Sequence, residues 1–239
     1  MNIVLFEATE TTGPLARSDA RAIHLLTVLR RAIGEKFDAG IVNGAMGKGW
    51  IASMTDDMLF LEFAWGSPTQ PLAPIHVLVG LPRPQTARRI LQEATSLGVG
   101  RLSFFQAEKG EPSYATSTLW TTDEWRKLLV AGAAQAFDTR IPEVTHADSL
   151  DEIVVSMNPT KTLIALDNYE AQGPLSAIAR AARGPYVLAI GPERGWSGRE
   201  RTVFRNNGFS LAHLGSRVLR AETALISAIA IVKTTIGEM

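Results

Sequence analysis

The sequence predicts an α/β protein in two parts, a small β-rich domain over residues 1–70 and a larger α/β domain over 71–239. Three observations carry that reading. Beyond residue 75, short apolar runs alternate with stretches of helical periodicity, the pattern of a mostly parallel sheet covered by helices. Before residue 66 the apolar runs are short and punctuated by turn signals, which suggests a small barrel. Between the two, Gly66-Ser67-Pro68-Thr69-Gln70-Pro71 is turn-rich and uncharged and marks the boundary.

In the first part, Ile3 to Phe6 reads as a strand. Ser18-Asp19 caps a helix whose Ile23, Leu26 and Leu29 recur at helical spacing. Phe37 to Val42 and Trp50 to Met54 flank a turn beginning Asn43-Gly44, and Asp56-Asp57 leads into a strand from Met58 to Phe63. The run Gly44-Ala45-Met46-Gly47-Lys48-Gly49 superficially resembles a nucleotide-binding glycine loop. No helix follows it to offer an N-terminus to a phosphate, so it is read as a hairpin turn.

In the second part, Ile75 to Val79 is a buried strand, and Pro82 and Pro84 lead into a helix with Ala87, Ile90, Leu91, Ala94 and Leu97 on one face, ended by Gly98. Arg101 to Phe105 is the next strand, and Thr121 with Glu124 forms a capping box opening a helix through Phe137. Thr162 to Leu166 is a strand, Pro174 opens a helix that Gly184 stops, and Tyr186 to Ile190 is a strand again. Ser197 with Glu200 makes a second capping box for a helix ending near Asn207-Gly208. Ser210 to Leu214 is the last strand and Glu222 to Ile236 the last helix. That helix carries Leu225, Ile226, Ala228, Ile229, Ile231, Val232 and Ile236 on more than one face and is expected to be buried all round, in the core or at a subunit interface.

Composition narrows the function. Lys plus Arg and Asp plus Glu are both 24, so bulk charge does not recruit nucleic acid; placement must. Residues 191–220 carry six arginines against Glu193 and Glu200, a basic patch. There is no cysteine, which excludes disulfides and thiolate metal sites, and the four histidines lie far apart, so no metal is expected. His24 and His213 sit in apolar contexts and read as structural. The first residues show no basic n-region, and the longest apolar run, Ala224 to Val232, is too short to span a bilayer, so a cytoplasmic protein without membrane partners is expected.

Two glycine-bearing segments carry the chemistry: Gly191-Pro192-Glu193-Arg194-Gly195-Trp196-Ser197 and Leu214-Gly215-Ser216-Arg217-Val218-Leu219-Arg220-Ala221-Glu222-Thr223-Ala224. Each follows a strand and precedes a helix, where open α/β sheets bind ligands. Glycines allow close backbone approach and positive φ, helix starts supply amide donors, and Arg217 and Arg220 can fix a phosphate or a base carbonyl. Neither segment is a Walker loop or a nucleophile elbow. Arg30, Arg31 and Lys36 in the first part, with Arg83, Arg88 and Arg89 in the second, offer an RNA-facing surface or simply solvated faces.

These two segments resemble the bacterial 16S rRNA uridine-N3 methyltransferases of the SPOUT superfamily. The residues that carry the likeness are Ile190-Gly191-Pro192-Glu193-x-Gly195-x-Ser197-x-x-Glu200 and Leu214-Gly215-x-Arg217-Val218-Leu219-Arg220-x-Glu222-Thr223-Ala224, with Leu81-Pro82, Glu93-Ala94-Thr95-x-Leu97-Gly98-Val99 and His24-Leu25-x-x-Val28-Leu29-Arg30 in support. The sequence departs from the family pattern after Glu193, where two glycines usually follow the glutamate but here Arg194 and Trp196 flank Gly195, and after Phe105, where Gln106-Ala107-Glu108-Lys109-Gly110-Glu111 stands in place of the basic, arginine-containing segment expected.

The resemblance implies a PUA-like β-barrel over 1–70 for RNA and a trefoil-knotted domain over 71–239 for S-adenosyl-L-methionine. It also implies a homodimer acting on 16S rRNA of the small ribosomal subunit. The cofactor residues it points to are Leu166, Ile190, Gly191, Pro192, Glu193, Gly195, Leu214, Gly215, Arg217, Val218, Leu219, Glu222, Thr223 and Ala224. Arg220 is expected to orient the base, with Glu222 or Glu193 as proton acceptor or its organiser, and Arg30, Arg31, Lys36, Arg83, Arg88 and Arg194 to contact RNA. Other readings are a knotted methyltransferase acting on tRNA or a ribose hydroxyl, and a non-catalytic RNA-binding or assembly factor of the same fold.

Overall fold

The computed structural model describes residues 3–155, 157, 161–181 and 184–239. The chain forms two compact units, Met1–Pro71 with Val130–Ile141, and Leu72–Leu129 with Pro142–Met239.

The first unit contains β1 (Val4–Phe6), β2 (Leu15–Ala16), α1 (Ala20–Ile23), β3 (Lys36–Ile41), β4 (Ala45–Met54) and β5 (Met58–Pro68). Its strands form one sheet in the order β1-β3-β4-β5-β2, parallel between β1 and β3 and antiparallel elsewhere. Phe37 and Ala39 of β3 meet Val4, Phe6, Leu25, Ile51 and Leu59 in its core. Asp19 caps α1, its Oδ1 accepting from the Arg21 N–H at 2.8 Å, and the helix then widens into a π turn over His24–Val28. The turn expected at Asn43-Gly44 is present, with the Gly44 N–H donating to the Ile41 carbonyl at 2.7 Å. β4 begins five residues earlier than the sequence suggests, so Gly47 and Gly49 lie inside a strand. Glycine suits position 47 for a steric reason: an added Cβ would meet the Ala64 carbonyl oxygen at 2.2 Å.

The stretch 130–141 joins this unit through Ala133, which is buried with Ile3 and Leu5. The Thr139 hydroxyl donates to the Gly44 carbonyl at 2.8 Å, and Ile141 N–H donates to Asn43 Oδ1 at 3.0 Å.

The second unit runs β6 (Ala73–Gly80), α2 (Pro84–Ser96), β7 (Val99–Phe105), α3 (Thr118–Thr121), α4 (Glu124–Gln135, its second half in the first unit), β8 (Glu143–Ala147), α5 (Leu150–Val155), β9 (Thr162–Leu166), β10 (Gly173–Pro174), α6 (Leu175–Ala181), β11 (Tyr186–Ile190), α7 (Gly198–Asn206), β12 (Ser210–His213) and α8 (Ala221–Ile236). The sheet order is β10-β12-β9-β11-β6-β7-β8, and every pairing is parallel. All five residues of β11, near the middle of the sheet, are buried, as a strand covered on both faces requires. Val187 and Ala189 meet Leu150, Ile153 and Val154 of α5 and Phe204 of α7 in one core.

The structure corrects three expectations here. Thr121 ends α3 rather than capping α4, and Glu124 turns away to Arg88, accepting from its Nε and Nη2 at 2.5 and 3.0 Å. The helix stops at Gln135, with Phe137 at φ +58°. The last helix is not buried all round within one chain: Leu225, Ala228, Ile229 and Val232 are buried on the side of α2, α6 and β11, whereas Ile226 is exposed and Ile231 and Ile236 are half-buried.

Candidate active site

Three loops leave the C-terminal ends of the neighbouring parallel strands β12, β9 and β11, which places residues 214–220, 167–172 and 191–197 side by side. Together with the start of α8 they enclose a cavity of about 530 Å³, within the range of small-molecule sites.

The 191–197 loop is built rigidly. Pro192 packs over Gly80, where an added Cβ would meet the proline Cδ at 2.7 Å. The Gly195 N–H closes a turn onto the Pro192 carbonyl at 2.8 Å, with Gly195 at φ +63°. Trp196, which flanks Gly195, is buried. Its indole stacks on Phe105, meets Phe204 edge-on and donates from Nε1 to the Leu166 carbonyl at 2.8 Å. The capping box forms as the sequence suggests: Ser197 Oγ accepts from Glu200 N–H at 3.0 Å, and Glu200 Oε2 accepts from Ser197 N–H at 2.7 Å. The departing segment after Phe105 supports this loop. Glu108 N–H donates to the buried Glu200 Oε1 at 3.0 Å, and Lys109 Nζ donates to the Trp196 carbonyl at 2.8 Å.

In the 214–220 loop, Gly215 takes φ +118° and donates its N–H to His213 Nδ1 at 3.1 Å, giving this histidine the structural role its sequence context suggests. Arg220 is the cap residue of α8, and Arg217, Val218 and Arg220 are exposed. Glu222, in the first turn of α8, is nearly buried and accepts from Arg89 Nη1 at 3.1 Å. Glu193 is tied to α2, its Oε1 accepting from the Arg83 N–H at 3.3 Å and lying 3.7 Å from Arg83 Nε.

Of the cofactor candidates, all but Gly215 and Thr223 line the cavity, as does Arg220. Among the RNA candidates of this unit, Arg83 and Arg194 line it, while Arg88 is held by Glu124. In the first unit Arg30 and Lys36 are exposed and Arg31 is half-buried.

Residues 68–233 match the RNA methyltransferase domain family. A ribosomal RNA small subunit methyltransferase E of Treponema pallidum is 35% identical over 242 residues, covering 97% of this chain and 90% of that protein. This chain belongs to the small subunit methyltransferase E family. The relative of the same name from Bacillus subtilis is 26% identical over 86% of this chain and 84% of its own length. The fold is that of a solved small subunit methyltransferase E from Neisseria gonorrhoeae bound to S-adenosyl methionine, with TM-score 0.79, 22% identity and coverage of 98% and 97% of the two chains. It is also that of a Legionella pneumophila protein solved with S-adenosyl methionine, at TM-score 0.78, 22% identity and 98% coverage of both.

In this member of the family the cavity has a third wall that sequence reading missed, made by Asp167, Asn168, Tyr169 and Arg201. Arg201 Nε donates to Asp167 Oδ2 at 2.7 Å, and both side chains are almost fully buried. An aspartate directly after the apolar run Thr162–Leu166, at a strand's C-terminal end, is the signal that could have found it. Its partner lies 34 residues on, in α7, where Arg201 is one of several arginines.

Proposed function

We propose that the protein transfers a methyl group from S-adenosyl-L-methionine to N3 of a uridine in 16S rRNA of the small ribosomal subunit. The carrying observation is the convergence of the 191–197 and 214–220 loops on one cavity of ligand size, in a chain of the small subunit methyltransferase E family. The residues present fit the cofactor. Leu166, Ile190, Leu214 and Leu219 give an apolar wall for an adenine. Gly191 lines the cavity, and its lack of a side chain lets Gly195 and the Trp196 ring pack against it, where a Cβ would meet them at 3.3 and 3.4 Å. When bound, the cofactor supplies an electrophilic methyl on a sulfonium.

The protein's share of the work is placement and proton handling. Uridine N3 gives up a proton as it attacks, and Arg220, exposed at the cavity wall, stabilises the charge that develops on the neighbouring carbonyl oxygens. Glu222 or Glu193 receives the proton or organises its acceptor. Each carboxylate is already fixed by an arginine of the α2 region, Arg89 or Arg83, so either meets substrate in a set orientation.

In the same reading, residues 1–70 are a PUA-like RNA-binding barrel and 71–239 a trefoil-knotted domain. Two cytoplasmic copies pair through the exposed side of α8 around Ile226. Nucleoside mass spectrometry of 16S rRNA from cells lacking the gene is the test. Loss of N3-methyluridine, restored by the wild-type gene, is expected; an unchanged nucleoside profile overturns the assignment.

A further inference from the structure

We propose that Tyr169 is a stacking platform for a nucleobase of the RNA substrate, an inference that rests on the RNA methylation reading above and deepens it. Tyr169 is 81% exposed yet lines the cavity. A side chain so exposed adds little to the core, but the loop that presents it is tied at every turn. Tyr169 N–H and Glu170 N–H both donate to Asp167 Oδ1, at 2.7 and 2.6 Å. The other oxygen of that buried carboxylate holds Arg201, and the Arg201 guanidinium lies over the Tyr169 ring, 5.2 Å from its centroid. Glu170 pairs with Arg205, and Gln172 N–H donates to the Leu211 carbonyl at 2.8 Å. An aromatic ring is thus held in solvent on a rigid mount, with a cation on one face.

Unpaired RNA bases are recognised by stacking of this kind, because every base offers a π-face. The cationic surroundings favour an RNA base over the adenine of the methyl donor. Arg194, Arg217 and Arg220 are exposed and line the same cavity, and they suit a phosphate chain, which the donor lacks. The donor's adenine has the apolar wall of Leu166, Ile190, Leu214 and Leu219 instead.

The test compares Tyr169→Ala, Tyr169→Leu and Tyr169→Phe with wild type in the full-length protein. Affinity for small ribosomal subunits from cells lacking the gene is measured by filter binding, and affinity for S-adenosylmethionine by calorimetry. The alanine and leucine variants are expected to bind the subunits about 5- to 150-fold more weakly, the range for losing one base–aromatic stack. Tyr169→Phe should match wild type, and affinity for the methyl donor should stay within about twofold in all three. Unchanged subunit affinity in Tyr169→Ala overturns the proposal. So does a parallel fall in donor affinity, which would place the ring on the cofactor. Wild-type protein that binds subunits without methylating them would sink the methylation reading instead, while the binding comparison still decides the role of Tyr169.

Discussion

Arg220 caps α8 with its backbone, its carbonyl accepting from Ala224 N–H at 2.8 Å, while its guanidinium stands exposed at the cavity wall. A side chain free of the fold can be removed without cost to the helix, which separates catalysis from structure. Arg220→Ala is expected to lower kcat about 10²- to 10³-fold, the loss seen when one donor to a developing anion is deleted. Calorimetric affinity for S-adenosylmethionine should be nearly unchanged; a parallel collapse would assign Arg220 to the cofactor pocket. His76 shows the opposite case, a titratable group that belongs to the fold. It is buried in β6 with Nε2 2.7 Å from Ser103 Oγ, and burial, with Arg101 and Lys161 adding repulsion, pushes its imidazole pKa down from 6.5 to about 3. Between those values the unfolded chain binds a proton that the native state refuses. This term therefore adds stability at neutral pH and is lost as pH falls from about 6.5 toward 3. Urea unfolding at pH 7 and pH 4.5 should show a smaller acid loss for His76→Gln than for wild type. Equal losses would remove His76 from the account of acid stability.

At the scale of elements, the buried Asp167–Arg201 pair joins the loop after β9 to α7, and it should be costly to break from one side. Asp167→Ala leaves a guanidinium almost fully out of water and also removes the acceptor for Tyr169 N–H and Glu170 N–H. A loss of about 3–5 kcal/mol is expected, read as a lower denaturation midpoint. A change below about 1 kcal/mol would mean that water, or Glu170 with its Oε1 3.9 Å from Arg201 Nε, compensates the charge. This pair also marks the limit of what the sequence makes legible. The strands β6, β9 and β11 were readable because a parallel strand covered on both faces must be a continuous apolar run, and Ser197 with Glu200 because a capping box is local. The apolar runs of β11 and β12 located the two glycine loops that follow them. β8 and α5 were not read because acidic residues dominate 141–171, with Glu143, Asp148, Asp151 and Glu152 on or beside both elements. Thr121 and Glu124 had the spacing of a cap, but a bidentate partner in α2 outcompeted a local backbone bond. Trp196, beside Gly195, is explained by burial: the indole anchors the loop through Leu166 and Phe105 rather than facing a ligand.

At the scale of the whole molecule, the open question is how a chain of zero net charge, whose first 70 residues carry eight acidic and six basic side chains, holds RNA. The structure shows which of those cations are already engaged. Arg21 is bound by Asp19 and Glu10, and Lys48 by Asp38. Arg30 and Lys36 are exposed, Arg31 is half-buried with its Nε enclosed, and none of the three forms an ion pair among the described residues. They are the expected phosphate contacts, positioning RNA without reading its sequence. Deleting residues 1–71 is a poor test, because Ala133 and its half-buried neighbours Val130, Ala134, Phe137 and Ile141 pack with Ile3 and Leu5 and would be uncovered. Substitution keeps the fold. Each phosphate contact contributes about 0.7 to the slope of log K against log salt for single strands, so Arg30→Ala, Arg31→Ala and Lys36→Ala together should flatten that slope by up to about 2. Affinity for S-adenosylmethionine should not change, because the cavity is lined entirely by residues of the second unit. A salt slope for small-subunit binding equal to that of wild type would show that RNA is recruited elsewhere, leaving the exposed arginines of the 191–220 segment as the charge that holds it.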